Sequence, residues 1–166
     1  LTLRRSIYGG AHPEISQTLN NLASVLFKRG DLAGAERRFR EVVRQDQRLL
    51  GETHPEFGYS LNNLAFILQA QGKHAEAEAT YREALGVFEA ALEPGHWMHG
   101  TVQSNLGHCL TQLGRYEEAH RALRAGHDVL AAALGENHER TREAARRLET
   151  LDEARPTGAG TAAAAH

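Results

Sequence analysis

Residues 54–72 read HPEFGYSLNNLAFILQAQG, and residues 12–30 read HPEISQTLNNLASVLFKRG. The two stretches share the opening His-Pro-Glu, the run Leu-Asn-Asn-Leu-Ala and the closing Gly, each displaced by 42 residues. Residues 96–114, HWMHGTVQSNLGHCLTQLG, carry a weaker third copy, and His138 opens a fourth at the same spacing. The register continues past each closing glycine. Ala35, Ala77 and Ala119 align, as do Phe39, Tyr81 and Leu123. A fixed period of this length marks stacked supersecondary units, each burying its apolar face on its neighbours.

Each unit reads as two helices. Leu19, Leu22, Ala23 and Leu26 fall on one face of the first, and Gly30 follows where a left-handed C-terminal cap belongs. Asp31 is placed to cap the second helix, whose inward stripe is Ala35, Phe39 and Val42. Glu36/Arg40, Glu78/Arg82 and Glu117/Arg121 are i,i+4 pairs expected on exposed surface. The small residues Ala23, Ala65, Gly107, Ala35, Ala77 and Ala119 allow close helix approach. The pattern predicts first helices near 13–29, 55–71 and 97–113, second helices near 31–50, 73–92 and 115–134, and a final helix from 139 to about 153.

Composition supports this reading. Of 166 residues 41% are apolar and only four are proline, which suits one helical domain with a core. A net charge of −2 argues against nucleic acid or an anionic membrane as partner. By segment the charge runs +4 over residues 1–51, −5 over 52–93 and −1 over 94–166, an asymmetry that a solvated surface explains. The single cysteine, Cys109, cannot close an intramolecular disulfide, and no signal-like or long apolar stretch is present, so the expected location is cytoplasmic.

The Leu-Ala pair of the first helix, the turn glycine, and the Ala followed by an aromatic in the second resemble the tetratricopeptide-repeat (TPR) consensus. The 42-residue period, the Leu-Asn-Asn-Leu-Ala runs and the His-Pro-Glu turn are similar to the kinesin-light-chain-like subgroup. The resemblance implies an all-α, right-handed solenoid of antiparallel helix pairs. It divides the chain into the end of a preceding repeat (1–9), repeats at 10–51, 52–93 and 94–135, a capping helix at 136–153 and a disordered tail at 154–166. Bacterial repeats of this kind are often attached to signalling kinases or nucleotide-binding ATPases. With arginine supplying most of the basic residues, a larger bacterial signalling protein is the expected context. The implied role is non-enzymatic: a scaffold that holds a partner protein or extended peptide, without cofactor. A monomer is expected. Stacking through the N-terminal end is the alternative.

The candidate site is the concave face of the first helices. Opposite the core stripe lie Gln17, Asn20, Asn21 and Ser24, then Tyr59, Asn62, Asn63, Phe66 and Gln69, then Ser104, Asn105 and His108. Side-chain amides suit an extended peptide because each offers a donor and an acceptor to its backbone. Tyr59 and Phe66 are placed as apolar anchors. Kinesin-light-chain-like repeats clamp peptides with asparagines in this run, and the matching positions are Asn20 and Asn62, with Ser104 in place of a third. For Asn21, Asn63 and Asn105 two readings stand, contact with a ligand or hydrogen bonding between neighbouring helices. His12, His54, His96 and His138 recur one helix spacing apart, about 10 Å, too far to share a metal ion, so a turn-shaping role is expected and no metal site. His108 and Cys109 are adjacent on a helix and point about 100° apart, which excludes a dyad. Cys109, aligned with Val25 and Ile67, is expected to be buried.

Overall fold

The computed structural model describes residues 13–154, with side chains from 18 to 153. Among the described residues seven helices follow one another: α1 Pro13–Lys28, α2 Leu32–Leu50, α3 Pro55–Ala70, α4 His74–Ala91, α5 Trp97–Gln112, α6 Tyr116–Leu134 and α7 Glu139–Ala154. The first six begin and end within two residues of the predicted spans, and there is no strand among the described residues. The expectations for residues 1–9, for His12 and for the tail beyond Ala154 lie outside the described residues. Ala154 itself is still helical.

Local chemistry sets these boundaries. Where α1, α3 and α5 end, Gly30, Gly72 and Gly114 take φ of 79°, 77° and 73°, a left-handed conformation that only glycine adopts without steric cost. Their N–H groups donate to Phe27, Gln69 and Thr111, and the next residues, Asp31, Lys73 and Arg115, donate to Leu26, Leu68 and Leu110. This is the Schellman arrangement, and it explains why leucine and glycine recur in fixed register. At the opposite ends, the imidazoles of His54, His96 and His138 accept through Nδ1 from the backbone N–H two residues on, at 3.1, 3.3 and 3.2 Å. The recurrent histidines are helix N-caps, in the role usually taken by Ser, Thr, Asp or Asn. Asp31 does the same for α2, accepting from Gly34 N at 2.8 Å.

Each helix packs on its neighbours in sequence, and α7 lies on both α6 and α5. One apolar cluster runs along the stack from Ala23 and Phe39 through Leu64, Tyr81 and Phe88 to Leu110, Leu123 and Leu151. Ala23, Ala65, Ala35, Ala77 and Ala119 are fully buried, as close helix approach requires. Leu22 departs from expectation. It is 37% exposed, and Val25 is 46% exposed, while their equivalents Leu64, Ile67, Leu106 and Cys109 are buried. The helices that carry those equivalents, α3 and α5, pack against the second helix of the preceding pair, α2 and α4, and α1 has no such described helix beside it.

The i,i+4 ion pairs also differ from the exposed pairs expected. Glu36 accepts from Arg40 at 2.9 Å and Glu78 from Arg82 at 3.0 Å, yet both carboxylates are largely covered because the following second helix grips them too. Lys73 reaches Glu36 at 2.8 Å and Arg115 reaches Glu78 at 2.6 Å, while Arg40 bonds Glu76 and Arg82 approaches Glu118 at 3.8 Å. The ladder repeats from α2–α4 to α4–α6. Burial alone would raise the Glu36 carboxyl, but hydrogen bonds from Lys73, Arg40 and Gln71 overcome it and hold the group at about 2.

Candidate functional site

The first helices present one side of the stack. Asn62, Asn63 and Phe66 of α3, and Thr101, Ser104 and Asn105 of α5, recur at helical spacing and share a face. Across from them stands the start of α7, and between the three helices lies a groove of about 710 Å³. Its far wall is charged: Glu139, Arg140, Glu143, Arg146 and Arg147, with His138 at the cap. A smaller cavity of about 230 Å³ opens beside it, lined by Ser24, Phe27 and Lys28 of α1, Phe39 of α2, and Asn63, Phe66 and Ile67 of α3. Asn63 and Phe66 line both spaces, so the surface is continuous. Phe66 is 43% exposed, with its ring edge-on to Phe27 at a centroid separation of 5.3 Å.

The amides in the groove are not all available. Asn105 Nδ2 donates to Asn62 Oδ1 at 3.1 Å, and Asn105 Oδ1 accepts from Arg147 Nη1 at 2.9 Å. The same Nη1 donates to Ser104 Oγ at 3.0 Å. Asn105 therefore bonds between neighbouring helices and lines the groove at once, so the two readings of its position coincide. Asn62 and Asn63 line the groove together, and Asn62 joins the interhelical network through its oxygen.

Other candidates sit elsewhere. Gln69 is buried, donating to Gln112 at 2.7 Å and accepting from Tyr81 at 3.1 Å, which ties α3 to α5 and α4. Tyr59 lines neither cavity; its ring stacks edge-on against Phe88, centroids 5.2 Å apart, and so braces its own helix pair. His108 is half-buried and its pKa is lowered, first by burial and then by the Arg147 charge. Ser24 lines the smaller cavity, donating to the Asn20 carbonyl at 2.9 Å, while Asn20 Oδ1 is buried without a partner. Asn21 is exposed, and the side chain of Gln17 lies outside those described. Cys109 is buried, its thiol donates to the His74 carbonyl at 3.3 Å, and burial with the Glu78 charge pushes it up to about 11, far from a nucleophilic thiolate.

The candidate site read from the sequence includes no residue of the final helix. The structure turns Arg147 into the groove, where its side chain is 19% exposed, and sets Arg140 over the Trp97 ring at 4.7 Å. Hydrogen bonding from Arg146, opposed by burial and helped by the Arg147 charge, holds the Glu143 carboxyl below its usual range. The available signal was register: Arg147 stands two 42-residue periods on from Asn63 and one on from Asn105. No helix among the described residues is long and apolar enough to cross a membrane.

A family model described as tetratricopeptide repeat matches residues 14–90 and again residues 56–132. No curated protein matches significantly. Among solved structures, a Podosopora anserina putative kinesin light chain with nearly identical TPR-like repeats is 21% identical with a TM-score of 0.71, over 86% of this chain and 67% of that one. BtubC (BKLC) from P. vanneervenii is also 21% identical at a TM-score of 0.71, over 77% of this chain and 52% of that one, so the chain spans only about half of that protein. The TPR2B domain of yeast Sti1, solved in a complex with pHsp70, is 15% identical at a TM-score of 0.67, over 86% of this chain and 99% of that one. The chain belongs to the tetratricopeptide-repeat family, and its helix pairs have the fold of kinesin-light-chain-like repeats.

Proposed function

We propose that the chain is a protein-interaction module whose groove between α3, α5 and α7 holds an extended peptide of a partner protein. The observation that carries the reading is the continuity of the two cavities through Phe66 and Asn63. Together they offer an exposed aromatic surface beside amide and guanidinium donors, the mixture of apolar anchor and sparse polar groups that peptide grooves use. The Sti1 neighbour, solved with a pHsp70 partner, supports this use of the fold. The site residues of this reading are Asn62, Asn63, Phe66, Ser104 and Asn105. The wider context is a cytoplasmic bacterial signalling protein of which this segment is the interaction part.

The test is selection of peptides from a displayed random library, followed by calorimetry with the best binder. Asn62→Ala should weaken that peptide by about 1–3 kcal/mol, because the backbone group it met stays desolvated and unpaired. Arg44→Ala, at an exposed position of α2, should leave affinity unchanged. Equal affinities for wild type and Asn62→Ala would remove the groove from consideration.

A second reading, self-association, is favoured by the exposed Leu22 and Val25, whose equivalents are covered in the later repeats. Sedimentation of wild type and a Leu22→Asp, Val25→Asp variant over a concentration series decides it; a monomer throughout for the wild type removes this reading.

A further inference from the structure

We infer that Arg147 is a positioning residue that polarises the amides of the groove, so that Asn62 meets a ligand as a hydrogen-bond donor to a peptide carbonyl. The inference rests on the groove being the peptide site and specifies what that site asks of its ligand. It follows from donor chemistry. A carboxamide can be turned either way, and its oxygen and nitrogen are hard to tell apart by shape, but a guanidinium has no acceptor at all. Arg147 Nη1 lies 2.9 Å from Asn105, so the atom of Asn105 facing it must be the oxygen. The Asn105 nitrogen is thereby turned toward Asn62 at 3.1 Å, and the atom of Asn62 that receives it must again be an oxygen. What remains of Asn62 in the groove is Nδ2, which has no hydrogen-bond partner among the described residues.

The guanidinium is itself held. Nη1 spends its second proton on Ser104 Oγ at 3.0 Å, and Nε donates to Glu143 Oε1 at 3.2 Å. These contacts fix Arg147 from two helices and leave it little freedom to release Asn105. An asparagine in the register position of Arg147 would satisfy Asn105 in either orientation, and the direction of the relay would be lost. The arginine sets the direction of the Asn105–Asn62 bond.

The test has two arms. In the free ¹⁵N-labelled protein, the Asn105 side-chain NH₂ should be protected from exchange and show coupling across its hydrogen bond to the Asn62 carboxamide, while the Asn62 NH₂ exchanges at a solvent-like rate. Arg147→Met should abolish the Asn105 protection and Arg147→Lys, still a pure donor, should restore it. Protection of the Asn62 NH₂ in place of that of Asn105, or a pattern unmoved by Arg147→Met, overturns the relay whatever the protein binds. In the second arm, the best peptide from the random library is titrated into Asn62→Asp, which keeps the acceptor for Asn105 and removes the donor to the ligand. A loss of about tenfold or more, at least as large as for Asn62→Ala, is expected. Asn62→Asp binding as tightly as wild type, with a melting temperature also unchanged, overturns the donor assignment. If no peptide is selected, the groove reading fails and the exchange arm still decides the relay.

Discussion

Three glycine-to-alanine substitutions with the same intrinsic benefit should have three different outcomes, decided by the space at each Cβ. Gly86, Gly58 and Gly100 all lie inside helices, where alanine is favoured over glycine by about 1 kcal/mol. A Cβ at Gly86 meets nothing within 4 Å, so Gly86→Ala should stabilise by about 0.5–1 kcal/mol. At Gly58 the new atom lies 2.9 Å from the Phe88 ring and 3.1 Å from a Val87 methyl, both buried, so a side chain rather than backbone must shift and the cost should about offset the gain. At Gly100 it lies 2.7 Å from the carbonyl oxygen of Gly126 and 3.1 Å from the backbone nitrogen of Leu130. Backbone cannot rotate away. Carbon and oxygen sit comfortably at about 3.3–3.6 Å, so α5 and α6 must separate by roughly 0.6 Å, and a gap of that size forfeits a quarter or more of each dispersion contact along the interface. Overpacking costs about 1–3 kcal/mol, leaving Gly100→Ala destabilised by up to about 2 kcal/mol after the propensity gain. Urea denaturation with the slope checked for constancy measures all three. Gly100→Ala at or above wild-type stability would show that the close α5–α6 approach is not what makes glycine necessary there.

Acid should weaken the ion-pair ladder. The Glu36 carboxyl is held at about 2 against an ordinary 4.5, so its contribution is present above about pH 4.5 and is lost as pH falls toward 2. With the Lys73 and Arg40 side chains more than a third exposed, solvent screening reduces that contribution to about 1 kcal/mol, and Glu36→Gln should flatten the acid limb of a stability profile by that amount. At the first turn of α3, His54→Ala should cost about 1 kcal/mol by removing the Nδ1 acceptor, and His54→Asn should restore it, as read by thermal unfolding. Glu78→Ala should lower the melting temperature more than Glu83→Ala. Glu78 bonds Arg82 and reaches the start of α6 through Arg115, while Glu83 is an exposed residue of the same helix. Equal shifts would mean that the ladder between repeats contributes nothing.

What was legible in the sequence was whatever a single repeat encodes. Gly30, Gly72 and Gly114 end helices through bonds made within five residues, and His54 and His96 start them through bonds made within two, so the register of these residues gives the helices directly. Leu22 was misread because burial is a property of the neighbour: the same leucine is covered at positions 64 and 106, where a preceding second helix stands beside it. The groove lies between these cases. Helical angle placed Asn62, Phe66, Ser104 and Asn105 on the lining face, but it could not say which amides would spend their polar atoms on each other. That depends on the offset between adjacent helices, seen in the partners Asn62–Asn105, Gln69–Gln112 and Ser104–Arg147, which are each 43 residues apart, one more than the sequence period. The extra residue is the lateral shift of one helix against the next, a quantity no single repeat contains. Asn20 and Asn63 stand at the same offset, yet Asn20 Oδ1 is buried with no partner. Register brings two amides to face each other. Whether they bond depends on what anchors the pair, and along α5 and α7 that anchor is Arg147, whose donors fix the orientation of Asn105 and, through it, of Asn62.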